Sequence, residues 1–156
     1  MTMLHFRCLR STASACALLA FIALPVGAAT EYEKRADGLV VYMGVLPAQV
    51  LRGETDHRAT MHGGLPSGSG SHHLVIAIFE ERTGNQVVAT AVNASVGPLG
   101  MGMTRRKLEP MLIGPTTTYG NFFPMPGPGP YRIRVSIQRA GETRATEVQF
   151  NYSHPQ

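Results

Sequence analysis

EPMLIGPTTTYGNFFPMPGPGPYRIRV, residues 109–135, contains three candidate β-strands with turn residues between them. Glycine, proline and threonine separate the apolar runs, and this composition is typical of tight turns. In the last run Tyr131, Ile133 and Val135 alternate with arginines, which is the period of a strand with one buried face. The stretch predicts β-structure, and it raises the question of why Met111 and Met125 flank a threonine-rich turn.

The rest of the chain repeats this pattern of short strands and turns. Residues 72–81, HHLVIAIFEE, are apolar at both alternating sets of positions, which predicts a central strand covered on both sides. RTGN at 82–85 predicts a hairpin turn into a returning strand at 86–96. Residues 30–37 are polar and predict a loose leader. Further strand candidates lie at 38–45, 57–64, 131–139 and 143–152.

These segments together predict the fold class. There are seven or eight short strands, and no segment longer than one turn has helical periodicity. We expect an all-β chain with a single immunoglobulin-like antiparallel β-sandwich over residues 30–156, without the cysteine and tryptophan core markers of many such domains. Pro47 cannot donate a ladder hydrogen bond, so 47–53 is expected at a sheet edge.

Residues 1–29 predict a cleaved secretory signal peptide. Arg7 and Arg10 precede an alanine-rich apolar stretch that ends in small residues, so cleavage is expected after Ala28 or Ala29. The apolar stretch is too short for a membrane anchor, and no second run approaches the ~20 residues of a spanning helix. We therefore expect a periplasmic protein.

Removal of the signal peptide changes the composition that matters for function. Both cysteines, Cys8 and Cys16, lie inside it, so the exported domain is expected to have no disulfide and to depend on its core. The net charge of +4 falls by two because Arg7 and Arg10 are lost with no acidic residue. A weakly basic exported chain predicts no nucleic-acid partner.

The sequence contains no recognisable catalytic motif. It has no Gly-x-Ser-x-Gly nucleophile elbow, no His-Glu-x-x-His zinc motif, no P-loop and no dinucleotide-binding glycine pattern. Acidic residues are few and dispersed, so no acid–base pair can be named. The sequence therefore predicts that the protein is not an enzyme.

Histidine and methionine are the residue types that suggest a binding site. Imidazole and thioether together favour copper, above all Cu(I), over Ca²⁺ and Mg²⁺, which prefer oxygen ligands. His62 precedes a Gly/Ser-rich loop, and His72 and His73 follow it, so antiparallel pairing would bring them together at the mouth of the loop. Met61 and His62 point to opposite faces of a strand, so only one of them can join a single site.

The methionines also have structural interpretations. Met43 lies in an apolar strand and is expected to fill the core, and the same interpretation is favoured for Met111 taken alone. Met101 and Met103 lie between glycines, where they form either a sulfur patch or an ordinary loop.

The histidines have structural interpretations as well. His57 is expected to be a solvated strand residue, and His154 is expected to lie in the C-terminal tail. One of His72 and His73 can cap the preceding loop through a hydrogen bond to the backbone.

The order of these segments resembles the periplasmic iron-transport protein family, the soluble copper- and iron-binding partners of high-affinity iron permeases. The resemblance covers residues 37–138. It is most specific at 110–131, where a Pro-Met, a turn, a Tyr-Gly and a Met-x-Gly-x-Gly-x-Tyr lead into a strand. It implies an immunoglobulin-like β-sandwich, a copper or iron site, an inner-membrane metal permease as partner and the capacity to form a homodimer.

The resemblance assigns only part of the family's metal site to this chain. The family's methionine ligand falls on Met111, and its upstream ligand falls on or near His62. Met125 matches a methionine of the glycine motif. Two histidine positions of the family fall on Thr118 and Ser136, which are not useful copper ligands.

Two functional hypotheses follow. In the first, other imidazoles and thioethers replace the lost ligands, and the chain is a periplasmic metal-binding protein for copper as Cu(I), with iron as the second candidate. Its ligands are expected among His62, His72, His73, Met111 and Met125. In the second, metal binding has been lost, and the chain is an immunoglobulin-like module that binds a membrane or envelope partner. The surplus of methionine and histidine in loop-rich positions favours the first.

Overall fold

The computed structural model describes residues 31–51 and 70–155. This part of the chain forms eight β-strands and one short helix, so the all-β prediction is confirmed. No helix in it is long and apolar enough to cross a membrane. The elements are β1 Glu33–Ala36, β2 Leu39–Pro47, α1 Ala48–Leu51, β3 Ser71–Glu80, β4 Ala91–Pro98, β5 Thr104–Ile113, β6 Thr116–Pro124, β7 Tyr131–Gln138 and β8 Thr146–Tyr152.

The strands form one continuous antiparallel sheet in the order β1-β2-β3-β6-β5-β4-β7-β8. β5 makes the sheet continuous, because residues 104–108 pair with β4 whereas residues 109–113 pair with β6. The sheet curls until β1 contacts β8. The immunoglobulin-like assignment, which requires two separate sheets, stays a prediction.

One face of the curled sheet encloses the hydrophobic core. We call it the inner face, and the opposite side of each strand the outer face; successive residues alternate between them. Met43 belongs to this core with 5% of its surface exposed, so its core-filling role is confirmed. Other members include Val41, Leu74, Ile76, Val92, Tyr119, Phe123, Ile133 and Phe150.

A smaller apolar cluster covers part of the outer face. The single turn of α1 places Ala48 and Leu51 against Phe122 of β6. These two residues are three apart, so they share one side of the helical turn. The prediction of an edge segment at 47–53 is therefore wrong for residues 48–51, which form α1, and residues 52 and 53 lie outside the described residues.

The prediction of a loose leader at residues 30–37 is wrong for β1. Glu33–Ala36 pair with residues 39–42 of β2 in regular antiparallel register. Charged side chains are compatible with an edge strand, where they hinder pairing with other chains. A polar composition therefore concealed a strand whose backbone is paired.

The predicted hairpin at 82–85 is only partly correct. The turn is present, but the returning chain makes a single bridge, between Phe79 and Gln86. It then crosses to the other half of the sheet, where β4 pairs with β5 and β7. The strands predicted on either side of the turn are therefore not neighbours.

Candidate metal centre

Two predicted ligands meet at Gly120 of β6. In the sheet register Gly120 lies between Val75 of β3 and Glu109 of β5. A Cβ atom built on Gly120 would lie 2.7 Å from Nε2 of His73 and 3.0 Å from Sδ of Met111. An imidazole nitrogen and a thioether sulfur thus converge above a residue that has no side chain.

His73 reaches this space from β3. Its register partner is Phe122, and both lie on the outer face. The imidazole packs on the Phe122 ring with 4.7 Å between the ring centroids, and only 3% of His73 is exposed. Phe122 in turn packs against Ala48 and Leu51 of α1, so the imidazole lies on a ring that is itself buried.

Met111 reaches the same space from β5. Its register partner is Thr118, the position to which the family resemblance assigned a histidine. The Thr118 hydroxyl donates a hydrogen bond to the Met111 carbonyl at 3.2 Å, so it stabilises the hairpin formed by β5 and β6. Met111 is 5% exposed but does not belong to the main core, so packing in that core does not account for its burial.

The geometry fits a small soft metal ion. His73 Nε2 and Met111 Sδ both lie within 3.0 Å of one point, so they are no more than twice that distance apart. An ion bound to nitrogen at about 2.0 Å and sulfur at about 2.3 Å needs the two donors within about 4.3 Å. The flexible methionine side chain can make that adjustment. Imidazole and thioether are donors that suit Cu(I).

Glu109 adjoins this space, although no sequence pattern marks it as a ligand. It is the register partner of Gly120, so its side chain leaves the same face of the sheet. Its Oε2 lies 3.8 Å from Lys107 Nζ. No group of three or more histidine, aspartate or glutamate side chains in residues 31–51 and 70–155 is placed to hold a metal ion. The site in these ranges therefore has one imidazole nitrogen, one soft thioether sulfur and one nearby carboxylate.

His72 points away from this space although it adjoins His73 in sequence. Its register partner is Phe123, a core residue of the inner face. Its ring stacks on His154 with 4.2 Å between centroids, and its Nδ1 lies 3.4 Å from the Gly70 carbonyl oxygen. Burial, and secondarily the neighbouring His154, lower the pKa of His72 below its ordinary value. The alternation of β3 therefore separates the two histidines.

Met125 also lies on the inner side and is fully buried in the main core. Its carbonyl accepts a hydrogen bond from His154 Nε2 at 3.1 Å, and His154 Nδ1 accepts one from the Tyr152 hydroxyl at 3.1 Å. The expectation that His154 lies in a tail is therefore wrong. The structure does not bring Met125 to Met111, and a ligand role for Met125 stays a prediction.

His62 lies outside the described residues, as do His57 and Met61. Both flanks of the segment that carries His62 adjoin the site. On one side Leu51 packs on Phe122, and on the other β3 begins two residues before His73. A ligand role for His62 stays a prediction.

Three further residues lie away from this site. Ser136, the second lost histidine position, is on β7, and β5 and β4 separate β7 from β6. Met101 is 71% exposed and Met103 is half-buried in the turn between β4 and β5. No ligand function is assigned to these residues.

Several solved structures share this fold. FetP from uropathogenic Escherichia coli, expressed in the periplasm, matches with a TM-score of 0.60 and 16% identity over 78% of this chain and 91% of FetP. A copper-bound variant of Campylobacter jejuni P19 matches with a TM-score of 0.56 and 14% identity over 78% of this chain and 93% of P19. A DUF4426 family protein from Pseudomonas aeruginosa gives 0.58 and 16%, over 78% and 94%.

These similarities concern the fold. No protein-family model and no curated protein matches the sequence. The structural neighbours include FetP and P19, so the resemblance found in the sequence is confirmed at the level of the fold.

Proposed function

We propose that this chain is a periplasmic protein that binds copper as Cu(I) through His73 and Met111. It acts in copper uptake, delivery or homeostasis and catalyses no reaction. The observation that carries the proposal is the convergence of His73 Nε2 and Met111 Sδ above Gly120. The copper-bound P19 variant and the periplasmically expressed FetP, both of similar fold, support it.

The chemistry of the site suits a transported ion. Two neutral donors bind a soft cation without a fixed negative charge, while Glu109 on the same face supplies attraction. Imidazole must be neutral to bind, so copper affinity falls when acidification protonates the histidine ligand. A site with few ligands also leaves coordination positions open, through which an acceptor can take the ion.

The remaining parts of the proposal rest on the sequence. His62 is the third ligand, brought by the segment between α1 and β3. Residues 1–29 are a signal peptide that exports a single immunoglobulin-like domain. An inner-membrane metal permease is the acceptor, the protein forms a homodimer, and iron is a second cargo.

The proposal predicts that Met111→Leu weakens Cu(I) binding by at least about tenfold. Loss of a residue that supports a metal ligand already lowers metal affinity by about tenfold or more, and loss of the ligand itself lowers it at least as much. The volume is nearly kept, so stability changes by less than about 1.5 kcal/mol. Met43→Leu is the matched control, since it removes a sulfur from the core on the other face. The measurement is anaerobic Cu(I) titration against a competing chelator, with melting curves for folding.

Two further variants extend this test. His73→Gln and His62→Ala are both expected to weaken Cu(I) binding. The copper proposal is wrong if wild type binds no Cu(I) at micromolar concentration, or if Met111→Leu binds as tightly as Met43→Leu. If Met111→Leu loses Cu(I) binding and His62→Ala does not, His73 and Met111 remain the proposed ligands and His62 is not one of them.

A second candidate function is a metal-free module that binds an envelope partner. A groove of about 320 Å³ lies on the outer face near the candidate site, lined by Tyr42, Gly44, Val75 and Ile113 among others. Tyr42 and Ile113 are exposed and line the same groove, and contiguous exposed apolar surface is a feature of interaction sites. Failure of all copper binding would favour this function.

A further inference from the structure

The outer face of β4 carries small residues, which form the floor of a groove. The strands on the two sides of β4 carry basic residues, which form the walls of this groove. Asn93, Ser95 and Gly97 point outward, because Val92, Ala94 and Val96 belong to the core. β5 and β7 pair with β4 on its two sides. We call this floor with its flanking strands the basic trough.

The walls of the basic trough carry four cations. Ser95 has Arg105 of β5 as register partner on one side and Arg134 of β7 on the other. In the same way Asn93 is paired with Lys107, and Gly97 is paired with Arg132. Neighbouring strands are about 4.8 Å apart, so the two walls stand about 10 Å from each other. Such a spacing lets long basic side chains from both walls reach one row of anions.

The cations of the trough are poorly neutralised. Arg134 Nε donates to the neutral Gln149 at 3.3 Å, and among the described residues the ion pair of Lys107 is with Glu109, at the long distance of 3.8 Å. Within the part of the chain that the structure describes, neither Arg105 nor Arg132 forms an ion pair with an acidic residue. The groove at its centre measures about 190 Å³ and includes one acidic residue, Glu147, among its lining.

The turn between β4 and β5 adds an apolar element at one end of the trough. A Cβ atom on Gly97 would lie 2.3 Å from the Gly102 carbonyl oxygen and 3.0 Å from Met103 Cα. The turn, residues 99–103, therefore folds over the outer face at this end. We call it the hairpin tip; its side chains Leu99 and Met101 are 51% and 71% exposed.

We propose that the basic trough and the hairpin tip form a docking surface for a bilayer that contains anionic phospholipids. Arginine and lysine side chains contact lipid phosphates, and Leu99 and Met101 insert at the boundary between headgroups and acyl chains. This combination of a cationic face and exposed apolar side chains beside it characterises proteins that lie on membrane surfaces.

The shape of the trough favours a membrane over a small ligand. Pockets for organic ligands measure about 300 to 1,000 Å³, whereas this groove measures about 190 Å³. A free phosphate ion would account for the arginines but would leave the exposed Leu99 and Met101 without a role. A membrane surface presents phosphates in a plane and uses both features.

Docking of this kind would orient the candidate copper site. β5 contributes Arg105 to the trough and Met111 to the space above Gly120, and both side chains lie on the outer face. The inference is independent of copper binding, because no trough residue belongs to that site.

The test is co-sedimentation of the mature chain, residues 30–156, with vesicles of phosphatidylglycerol and phosphatidylcholine. We expect binding to mixed vesicles, release at high salt and little binding to phosphatidylcholine alone. Arg105→Gln with Arg134→Gln should weaken binding by more than about tenfold, since each cation contributes about fivefold. Both side chains are exposed, so folding is expected to persist.

The matched control is Arg106→Gln with Arg144→Gln, which removes the same charge elsewhere. Arg106 is exposed, but it lies between the trough residues Arg105 and Lys107 in the sequence of β5, so its side chain leaves the opposite face of the strand. Arg144 lies in the exposed turn before β8. This variant should bind within about threefold of wild type. Leu99→Ser with Met101→Ser should also weaken vesicle binding, which a purely electrostatic surface would not show.

Three results would overturn the proposal. The first is absence of binding to vesicles that contain phosphatidylglycerol. The second is equal weakening in the trough variant and the control variant. The third is stabilisation of the protein by inorganic phosphate, lost in the trough variant, without any vesicle binding; this would make the trough a site for a small oxyanion.

Discussion

Gly120 and Thr118 are the residues of β6 that decide what the candidate copper site contains. Gly120 leaves room for His73 and Met111 to approach each other. Thr118 directs its hydroxyl to the Met111 carbonyl, so it supplies no ligand where the resembling family has a histidine. The donors from the described residues are therefore one imidazole and one thioether, which favours a soft ion.

The sequence could name these donors but could not sort them. Met111 and Met125 both adjoin apolar runs, and both are buried. Only the strand register shows that Met111 lies on the outer face while Met125 joins the core. Register is fixed by pairing with distant strands, so it is not contained in the local pattern.

Two glycines of the Pro-Gly segment give a prediction at this scale. Gly127 has φ +81° and Gly129 has φ +97°, conformations that L-residues rarely adopt. Gly127→Ala should lower the free energy of unfolding by about 1 kcal/mol. Gly129→Ala should lower it by more than about 2 kcal/mol, because its Cβ would also lie 3.1 Å from Tyr131 Cδ2 and the Tyr152 carbonyl oxygen.

Urea denaturation measures both changes. Gly102→Ala is the control, because Gly102 has no positive φ and no heavy atom within 4 Å of an added Cβ. If both Pro-Gly variants are as stable as Gly102→Ala, the backbone of this segment is not constrained as described.

At the scale of the element, β3 distributes its two histidines to opposite faces. His73 joins Met111 outside, while His72 stacks on His154 inside. The sequence predicted a strand buried on both sides here, and the burial of residues 72–76 agrees with that prediction. The two histidines should therefore have different functions, one in metal binding and one in stability.

His72 gives a prediction for metal-free protein. Its pKa is lowered in the folded state by burial and then by His154, so the unfolded chain takes up a proton at His72 more readily. The free energy of unfolding should therefore fall as the pH drops below about 6.5, until the lowered folded-state pKa is reached. Denaturation at a series of pH values with a chelator present measures this.

Two variants separate the causes of this pH dependence. His72→Gln should remove the contribution of His72. His154→Gln should leave most of it, because burial is the larger cause and remains. A pH dependence that is unchanged in His72→Gln would assign it to other groups and contradict this account.

β1 and β5 show which elements local patterns miss. β1 is a four-residue edge strand of mostly charged residues, so no apolar alternation marks it. β5 pairs with two different neighbours along its length, and its first half reads as polar because its outward residues are basic. A local sequence pattern predicts a strand well where one face of the strand is apolar. It predicts a strand poorly where backbone pairing with neighbouring strands is the main feature that stabilises it.

At the scale of the whole molecule, the order of the strands creates the site. β3, β6 and β5 lie side by side, although β3 and β6 are separated by more than thirty residues in the chain. The sequence predicted nearly all the strands, but their order depends on long-range pairing that no local pattern specifies. For this reason the sequence pointed to Met111 and His73 without showing that they meet.

The central claim is that His73 and Met111 hold one Cu(I) ion above Gly120, and Gly120→Ala tests it without removing either ligand. The added methyl would lie 2.7 Å from His73 Nε2 and 3.0 Å from Met111 Sδ, so it would force the donors apart. Gly44→Ala is the control on the outer face of β2, where the added Cβ meets only Val75 Cβ at 3.9 Å.

The measurement is the Cu(I) dissociation constant of both variants by anaerobic competition titration. We predict that Gly120→Ala binds at least about tenfold more weakly than wild type, a loss comparable to that of a ligand, whereas Gly44→Ala binds like wild type. If folded Gly120→Ala binds Cu(I) as tightly as Gly44→Ala, the two donors do not act together above Gly120 and the central claim is wrong.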